Sequence, residues 1–214
     1  MLRRAMPKRG FDLLAPHYRW MERILAGSQL QKCRIKYLPA IADAKRILLL
    51  GEGPGRFLCE VIGSCPAAEV TCLDSSAKML AKARDATKRG VTFVHADVLE
   101  YEFPSGRFEA VATHFFLDCF RPDQLQVLVR RTAQSLLPGG TWLLSDFCLP
   151  PAGPSRWRAA IILKTMYLFF RAATALPARQ LTDPTPLLEQ NGLTLVQRHT
   201  ANWGLLHSDL WRKT

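Results

Sequence analysis

The sequence predicts an α/β fold in which a mostly parallel sheet carries helices on both faces. Three observations predict it. An apolar run, Arg46–Leu50, ends in Gly51, Gly53 and Gly55 and leads into a helical pattern. Strand-like and helix-like stretches then alternate as far as about residue 150. Neither an internal repeat nor a low-complexity segment interrupts them. Such alternation implies parallel strands joined by right-handed crossovers.

The elements follow in order. Phe11, Leu14, Ala15, Tyr18, Met21, Ile24 and Leu25 recur at helical spacing and predict a helix over 11–26. Gly27 stops it, and Ser28 is a fresh N-cap for a second helix reaching about Ala42. Strand one is Arg46–Leu50, with a helix over Gly55–Gly63. Glu69–Leu73 is strand two, ending at Asp74, and Ser76–Lys88 is helical. Val91–His95 and Phe108–Thr113 are strands three and four. Asp123–Leu137 reads as an amphipathic helix broken by Pro138-Gly139-Gly140, and Thr141–Phe147 is strand five. A long helix capped by Ser155 runs to Leu176, interrupted by Lys164 and Arg171 on one face. That makes a poor membrane span. A lid over an apolar pocket, an interfacial helix and a core helix compete for it. Asp183–Gln190 is a short helix. Leu193–Arg198 and Leu205–Trp211 form an antiparallel pair at the sheet edge. The chain is thus one domain: a helical cap (1–44), a ligand-binding core (45–150), a lid (151–181) and a C-terminal helix and strand pair (182–214).

Charge is unevenly spread. Of the net charge of +11, residues 1–46 carry +8, 47–150 carry −2 and 151–214 carry +5. Basic flanks suit an anionic membrane surface, nucleic acid or an acidic substrate, or are simply a solvated surface. The six cysteines form no C-x-x-C pair and no histidine cluster has ligand spacing, so no metal is expected. Cysteines in apolar runs fit a reducing cytoplasm. No apolar stretch follows the N-terminal basic residues, so no signal peptide is expected.

In an open parallel sheet, ligands bind beyond the carboxyl ends of the strands. Four features fall there. The glycine loop ends strand one. Asp74, 23 residues after Gly51, can accept two ribose hydroxyls. Asp97 can accept an adenine amino group while the next N–H meets a ring nitrogen. Thr113-His114 ends strand four and faces the reacting group. Each alone is a common structural feature; together they specify a nucleotide-like ligand.

Ile47-Leu-Leu-Leu-Gly-Glu-Gly-Pro-Gly55, Cys72-Leu-Asp-Ser-Ser-Ala-Lys-Met-Leu80, His95-Ala-Asp-Val98 and Leu136-Leu-Pro-Gly-Gly140 resemble the successive motifs of class I S-adenosylmethionine-dependent methyltransferases. Phe11-Asp12-x-x-Ala15-x-x-Tyr18 resembles the N-terminal cap of the subgroup that includes quinone-pathway enzymes. The resemblance implies a Rossmann-like seven-stranded sheet of order 3-2-1-4-5-7-6, and S-adenosylmethionine as cofactor with S-adenosylhomocysteine as product. It places Gly51, Gly53 and Gly55 along the methionine, Asp74 and Ser75 at the ribose, and Met79 beside the adenine. Asp97 and Val98 fall at the adenine edge and Tyr18 at the methionine end. One departure stands out. The acidic residue usual two positions before the first glycine is replaced by Leu49, and Glu52 inside the loop is the candidate to orient the ligand ammonium. A dinucleotide loop would want G-x-G-x-x-G, which this chain lacks.

Methyl transfer from a sulfonium needs alignment, exclusion of water and an electron-rich acceptor. His114 is placed to take the acceptor proton, with Asp118 four residues on to orient it; alternatively His114 packs on the cofactor and Asp118 caps a helix. His17, His199 and His207 have no visible partner. A small lipophilic or aromatic acceptor, methylated at oxygen or carbon, fits the aromatic stretch after strand four; sulfur or nitrogen is the alternative. An RNA methyltransferase rests on charge alone and a non-enzymatic cofactor-binding protein is a third class. Nucleic acid is disfavoured, because the Asn/Asp-Pro-Pro-aromatic motif is missing. The expected setting is cytoplasmic, with basic flanks allowing contact with the inner membrane face. The sequence says nothing of oligomeric state.

Overall fold

The computed structural model describes residues 28–87, 90–174 and 178–214. The helix expected over 11–26, with Tyr18 and His17, lies outside them. Seven strands form one sheet, β1 (Arg46–Leu50), β2 (Glu69–Asp74), β3 (Thr92–His95), β4 (Phe108–His114), β5 (Leu136–Phe147), β6 (Leu193–Ala201) and β7 (Leu206–Lys213). Their spatial order is β3-β2-β1-β4-β5-β7-β6, as the sequence predicts. β1 to β5 pair in parallel, and β7 runs antiparallel to both β5 and β6.

β1 sits at the centre because every residue after Arg46 is apolar and can be buried on either face. Leu48 and Leu50 face one core, with Val111, Leu125, Val129, Trp142, Leu188 and Trp211. Ile47 and Leu49 face the other, with Phe57, Leu58, Val61 and Ala83. The first is covered by α4 (Pro122–Ser135) and α6 (Thr185–Gln190), the second by α2 (Arg56–Ser64) and α3 (Ala77–Asp85). Register brings Leu50 beside both Leu73 and Thr113, which aligns the carboxyl ends of β1, β2 and β4.

Three elements depart from expectation. The second helix is split into α1 (Gln29–Ile35) and a 3-10 turn, Leu38–Ile41. Pro39 lacks an N–H and disfavours helix in the residue before it. Ser28 is itself helical in backbone angles and its side chain caps nothing. Leu-Leu-Pro-Gly-Gly does not separate helix from strand but belongs to β5. The register jumps from Phe108 beside Leu136 to Ala110 beside Thr141, so the Pro-Gly-Gly residues bulge out of the ladder.

The long helix α5 (Gly153–Thr174) starts two residues before Ser155, whose hydroxyl bonds back to the Ala152 carbonyl. It buries Ala159, Leu163, Met166 and Tyr167, one helical stripe, against Leu30 and Cys33 of α1, Phe147 of β5 and Leu206 of β7. Burying side chains of this size contributes roughly 1.5–3 kcal/mol each. The opposite face carries exposed Trp157, Ile161, Leu168 and Phe169.

Candidate functional site

Gly51, Gly53 and Gly55 all adopt left-handed φ angles, of +63°, +65° and +87°. Their roles differ. A Cβ at Gly51 would overlap the Phe116 ring, and one at Gly55 would lie 2.9 Å from the Ala83 backbone. A Cβ at Gly53 would meet nothing within 4 Å. Gly51 and Gly55 are therefore needed for packing, whereas Gly53 keeps the backbone open to the space above the sheet.

The residue expected to orient a ligand ammonium, Glu52, has a second task. Its Oε1 accepts from the N–H groups of Phe57, at 2.6 Å, and Leu58, at 3.0 Å, and so caps α2. Burial pushes its carboxyl up to about 7, against the opposing pull of those hydrogen bonds and of Arg34. Among the described residues no hydrogen bond reaches Oε2.

Asp74 ends β2 beside the loop. Its Oδ2 accepts from the Gly53 N–H at 3.2 Å and its Oδ1 from the Ser76 N–H at 2.8 Å. The carboxylate thus ties strand, glycine loop and the start of α3 together. Ser76 caps α3 through the Met79 N–H, and Met79 is buried beneath. The Ser75 carbonyl lies 3.0 Å from His95 Nε2. Asp97 is buried after β3, its Oδ1 accepting from the Leu99 N–H, and the Val98 side chain joins the core. Strand register brings Gly53, Asp74, Ser75, Met79 and Asp97 to one rim of the sheet.

Thr113 is a correction. Its hydroxyl accepts from the Trp142 indole N–H at 2.9 Å inside the core, so its side chain does not face the reacting group. Successive strand residues point to opposite faces, and that parity puts His114 on the other side. There the His114 ring meets the Phe57 ring edge-on at 4.4 Å. It is 8% exposed, and neither ring nitrogen has a hydrogen-bond partner among the described residues. Leaving such atoms buried and unmet costs about 1–3 kcal/mol, so a ligand group at this position would be stabilised. Burial, helped by the Arg34 charge, lowers the imidazole to about 3. That shift favours the neutral ring.

The expected pairing of Asp118 with His114 is absent. Asp118 instead turns to Asp146: its N–H donates to Asp146 Oδ2 at 3.1 Å, and the Phe147 N–H donates to Asp146 Oδ1. Both carboxyls are buried, and desolvation raises both, Asp118 to about 6. The Asp118 carbonyl accepts from the Tyr167 hydroxyl of α5 at 3.1 Å.

Two features escaped sequence reasoning. Arg34 of α1 is buried, its guanidinium 5.1 Å from the centre of the Phe115 ring. Its charge reaches both Glu52 and His114. In sequence nothing separates it from its neighbours Lys32 and Lys36. The second is the partner of His207. Its Nδ1 lies 3.0 Å from Asp209 Oδ2, and Arg198 holds Asp209 through two nitrogens at 2.8 and 2.7 Å. Burial acts to raise Asp209, but the Arg198 hydrogen bonds and the close His207 ring outweigh it and hold the carboxyl below its ordinary range. His207 lines a cavity of about 820 Å³ between α5 and the ends of β5, β6 and β7, with Phe147, Leu163 and Tyr167 in its walls. No cluster suited to a metal ion occurs among the described residues.

Comparison with known proteins bears on the family and the fold. Residues 47–140 match the family model described as a methyltransferase domain. A demethylmenaquinone methyltransferase of Thermus thermophilus is 35% identical over 148 residues, 67% of this chain and 66% of that protein. An uncharacterized methyltransferase of Synechocystis sp. is 30% identical over 78% of this chain and 75% of its own length. Among solved structures, a Burkholderia thailandensis 1,6-didemethyltoxoflavin-N1-methyltransferase with bound S-adenosylhomocysteine superposes with a TM-score of 0.67. The superposition covers all of this chain and 93% of that one at 18% identity, a likeness of fold.

Proposed function

The chain belongs to the class I S-adenosylmethionine-dependent methyltransferases, and we propose that it methylates a small lipophilic or aromatic acceptor at oxygen or ring carbon. S-adenosylmethionine supplies the electrophilic methyl group. In this reading Asp74 and Asp97 hold the nucleoside. Glu52 and Arg34 meet the ammonium and carboxylate of the methionine, and His114 hydrogen-bonds there instead of acting as the base.

The observation that carries the acceptor reading is the cavity behind α5. Its aromatic and aliphatic walls suit an apolar molecule, and charged and polar side chains at the same walls, Lys164, Arg179, Asp183, Arg198 and His207, suit its orientation. It adjoins the strand ends: Tyr167 lines it and bonds to Asp118, while Phe147 packs against Phe115 at 5.4 Å between ring centres. His207, backed by Asp209, is the group in its wall suited to take a proton from a phenol or hydroquinone. The protein's own part is to align the acceptor, exclude water and hold that proton.

The Thermus relative is named for demethylmenaquinone, so reduced demethylmenaquinone is the first acceptor to try. The test incubates the protein and methyl-labelled S-adenosylmethionine with this quinol, simple phenols, thiols, amines and total RNA. Label in the organic extract is expected. Label in RNA alone, or none in any arm, contradicts the proposal. A lipophilic acceptor also calls for access to a membrane surface, where such molecules partition.

A further inference from the structure

One side of α5 closes the cavity; the other side faces outward with an unusual composition. Trp157 is 76% exposed, Ile161 65%, Leu168 59% and Phe169 49%. Trp157, Ile161 and Leu168 fall at i, i+4 and i+11, so they share one stripe of the helix. Beside it stands the tip of the β6–β7 hairpin, where Trp203 is 78% exposed.

Trp203 is held there at a backbone cost. Its φ is +58°, a left-handed conformation that disfavours a bulky side chain. Glycine or asparagine would turn the hairpin more easily. Arg158 of α5 fixes the tip to the helix. Its guanidinium donates to the Asn202 carbonyl and side-chain oxygen, at 3.3 and 3.0 Å, and lies 5.8 Å from the Trp203 ring centre. Helix and tip therefore present their apolar side chains as one surface.

The charge around that surface is of one sign. No acidic residue occurs between Asp146 and Asp183, whereas Arg156, Arg158, Lys164, Arg171 and Arg179 all do. Among the described residues no helix is long and apolar enough to cross a membrane. Exposed tryptophans and aliphatics interleaved with cations, on a helix that does not span, are the composition of an interfacial helix.

We infer that the outer face of α5 and the Trp203 tip dock on an anionic lipid bilayer. The aromatic and aliphatic side chains enter the boundary between headgroups and acyl chains, and the cations meet acidic headgroups. Charge selects this occupant. A second copy docked face to face would bring the same cations together, and α5 itself carries no acid to neutralise them. The first 27 residues carry six basic and two acidic side chains, so they share the sign of this face and do not complement it. The inference rests on the lipophilic-acceptor reading for its purpose, because α5 would then have lipid on one side and the acceptor cavity on the other.

The test is co-sedimentation of the full chain with vesicles of phosphatidylcholine alone, or of phosphatidylcholine mixed with phosphatidylglycerol, with no acceptor present. Strong binding to the mixed vesicles is expected, weakening as salt is raised, with little binding to the neutral ones. Trp157→Ser combined with Trp203→Ser should weaken it by about tenfold or more, while a Phe pair at the same positions restores most of it. Replacing Arg156, Lys164 and Arg171 by Gln should remove the preference for the anionic vesicles. Unchanged S-adenosylmethionine affinity in each variant shows that the fold is intact. Absence of wild-type binding overturns the inference. So does binding that ignores the Trp pair, which would place the contact on the basic flanks alone, or a dimer that the Trp pair dissociates. Because no acceptor is used, these outcomes are independent of whether the acceptor proposal survives.

Discussion

The Asp118 N–H donates to Asp146 Oδ2 at 3.1 Å, which joins the turn after β4 to the end of β5 and leaves the Asp118 and Asp146 carboxyl groups buried close together. Two such groups so close cannot both ionise without large cost. Both are raised, so the folded state holds protons that the unfolded chain releases. Their stabilisation is full below the unfolded carboxylate range, near 4; the Asp118 part is lost as pH rises through about 6, and the Asp146 part, raised well above its ordinary range by burial and by Asp118, is not confined to that window. Thermal unfolding should therefore show stability falling as pH rises above about 4. Asp118→Asn should flatten that slope and stabilise the protein at pH 8 by on the order of 2 kcal/mol. An unchanged pH slope would separate the pair from stability.

The glycine loop separates packing from binding. Gly53→Ala faces open space, so it should cost only about 1–2 kcal/mol of stability for its left-handed backbone while lowering cofactor affinity sharply. Gly55→Ala should act mainly on stability, because its Cβ meets Ala83. Gly51→Ala should be rescued in part by Phe116→Ala, since the Phe116 ring occupies that space. Denaturant unfolding and calorimetric titration of each variant separate the two effects.

Glu52 should make cofactor binding depend on pH. Its carboxyl titrates near 7, and only the ionised form attracts an ammonium group. Affinity for S-adenosylmethionine should rise as pH increases through 7, and Glu52→Gln should abolish that rise and weaken binding about tenfold. Glu52→Ala should also cost about 1 kcal/mol of stability through loss of the α2 cap. An unchanged dissociation constant would remove Glu52 from the site.

His114 and His207 should respond differently. His207→Gln should lower turnover with a phenolic or quinol acceptor by about 10²–10⁴-fold and leave cofactor affinity alone. His114→Gln should change cofactor affinity more than turnover. The reverse pattern, with a shifted pH profile in His114→Gln, would restore His114 as the base.

Much of this was legible because it is local. The strand-ending glycines, Asp74 and Asp97 each follow an apolar run, and the alternation fixes how those runs lie together. Features that depend on register were not legible. Thr113 and His114 differ only by one step of the strand, and only the partner Trp142 shows which one is turned inward. Asp146 stands beside His207 through an antiparallel pairing with α5, α6 and β6 between them in sequence, so neither residue announced the other. His207 gained its partner Asp209 two residues along the same strand, a spacing that puts both on one face once the segment is known to be extended. The Pro-Gly-Gly bulge was misread because those residues break helices and interrupt strands alike.

The most direct test of the account is calorimetric titration of S-adenosylmethionine into the wild-type chain and into Asp74→Ala. The account predicts saturable binding to the wild type and a loss of about 10–100-fold in the variant, the worth of one or two hydrogen bonds to a charged group. NAD should give no binding to either. Equal affinity of the two proteins for S-adenosylmethionine, or preference for NAD, would contradict the assignment of the strand ends as the cofactor site.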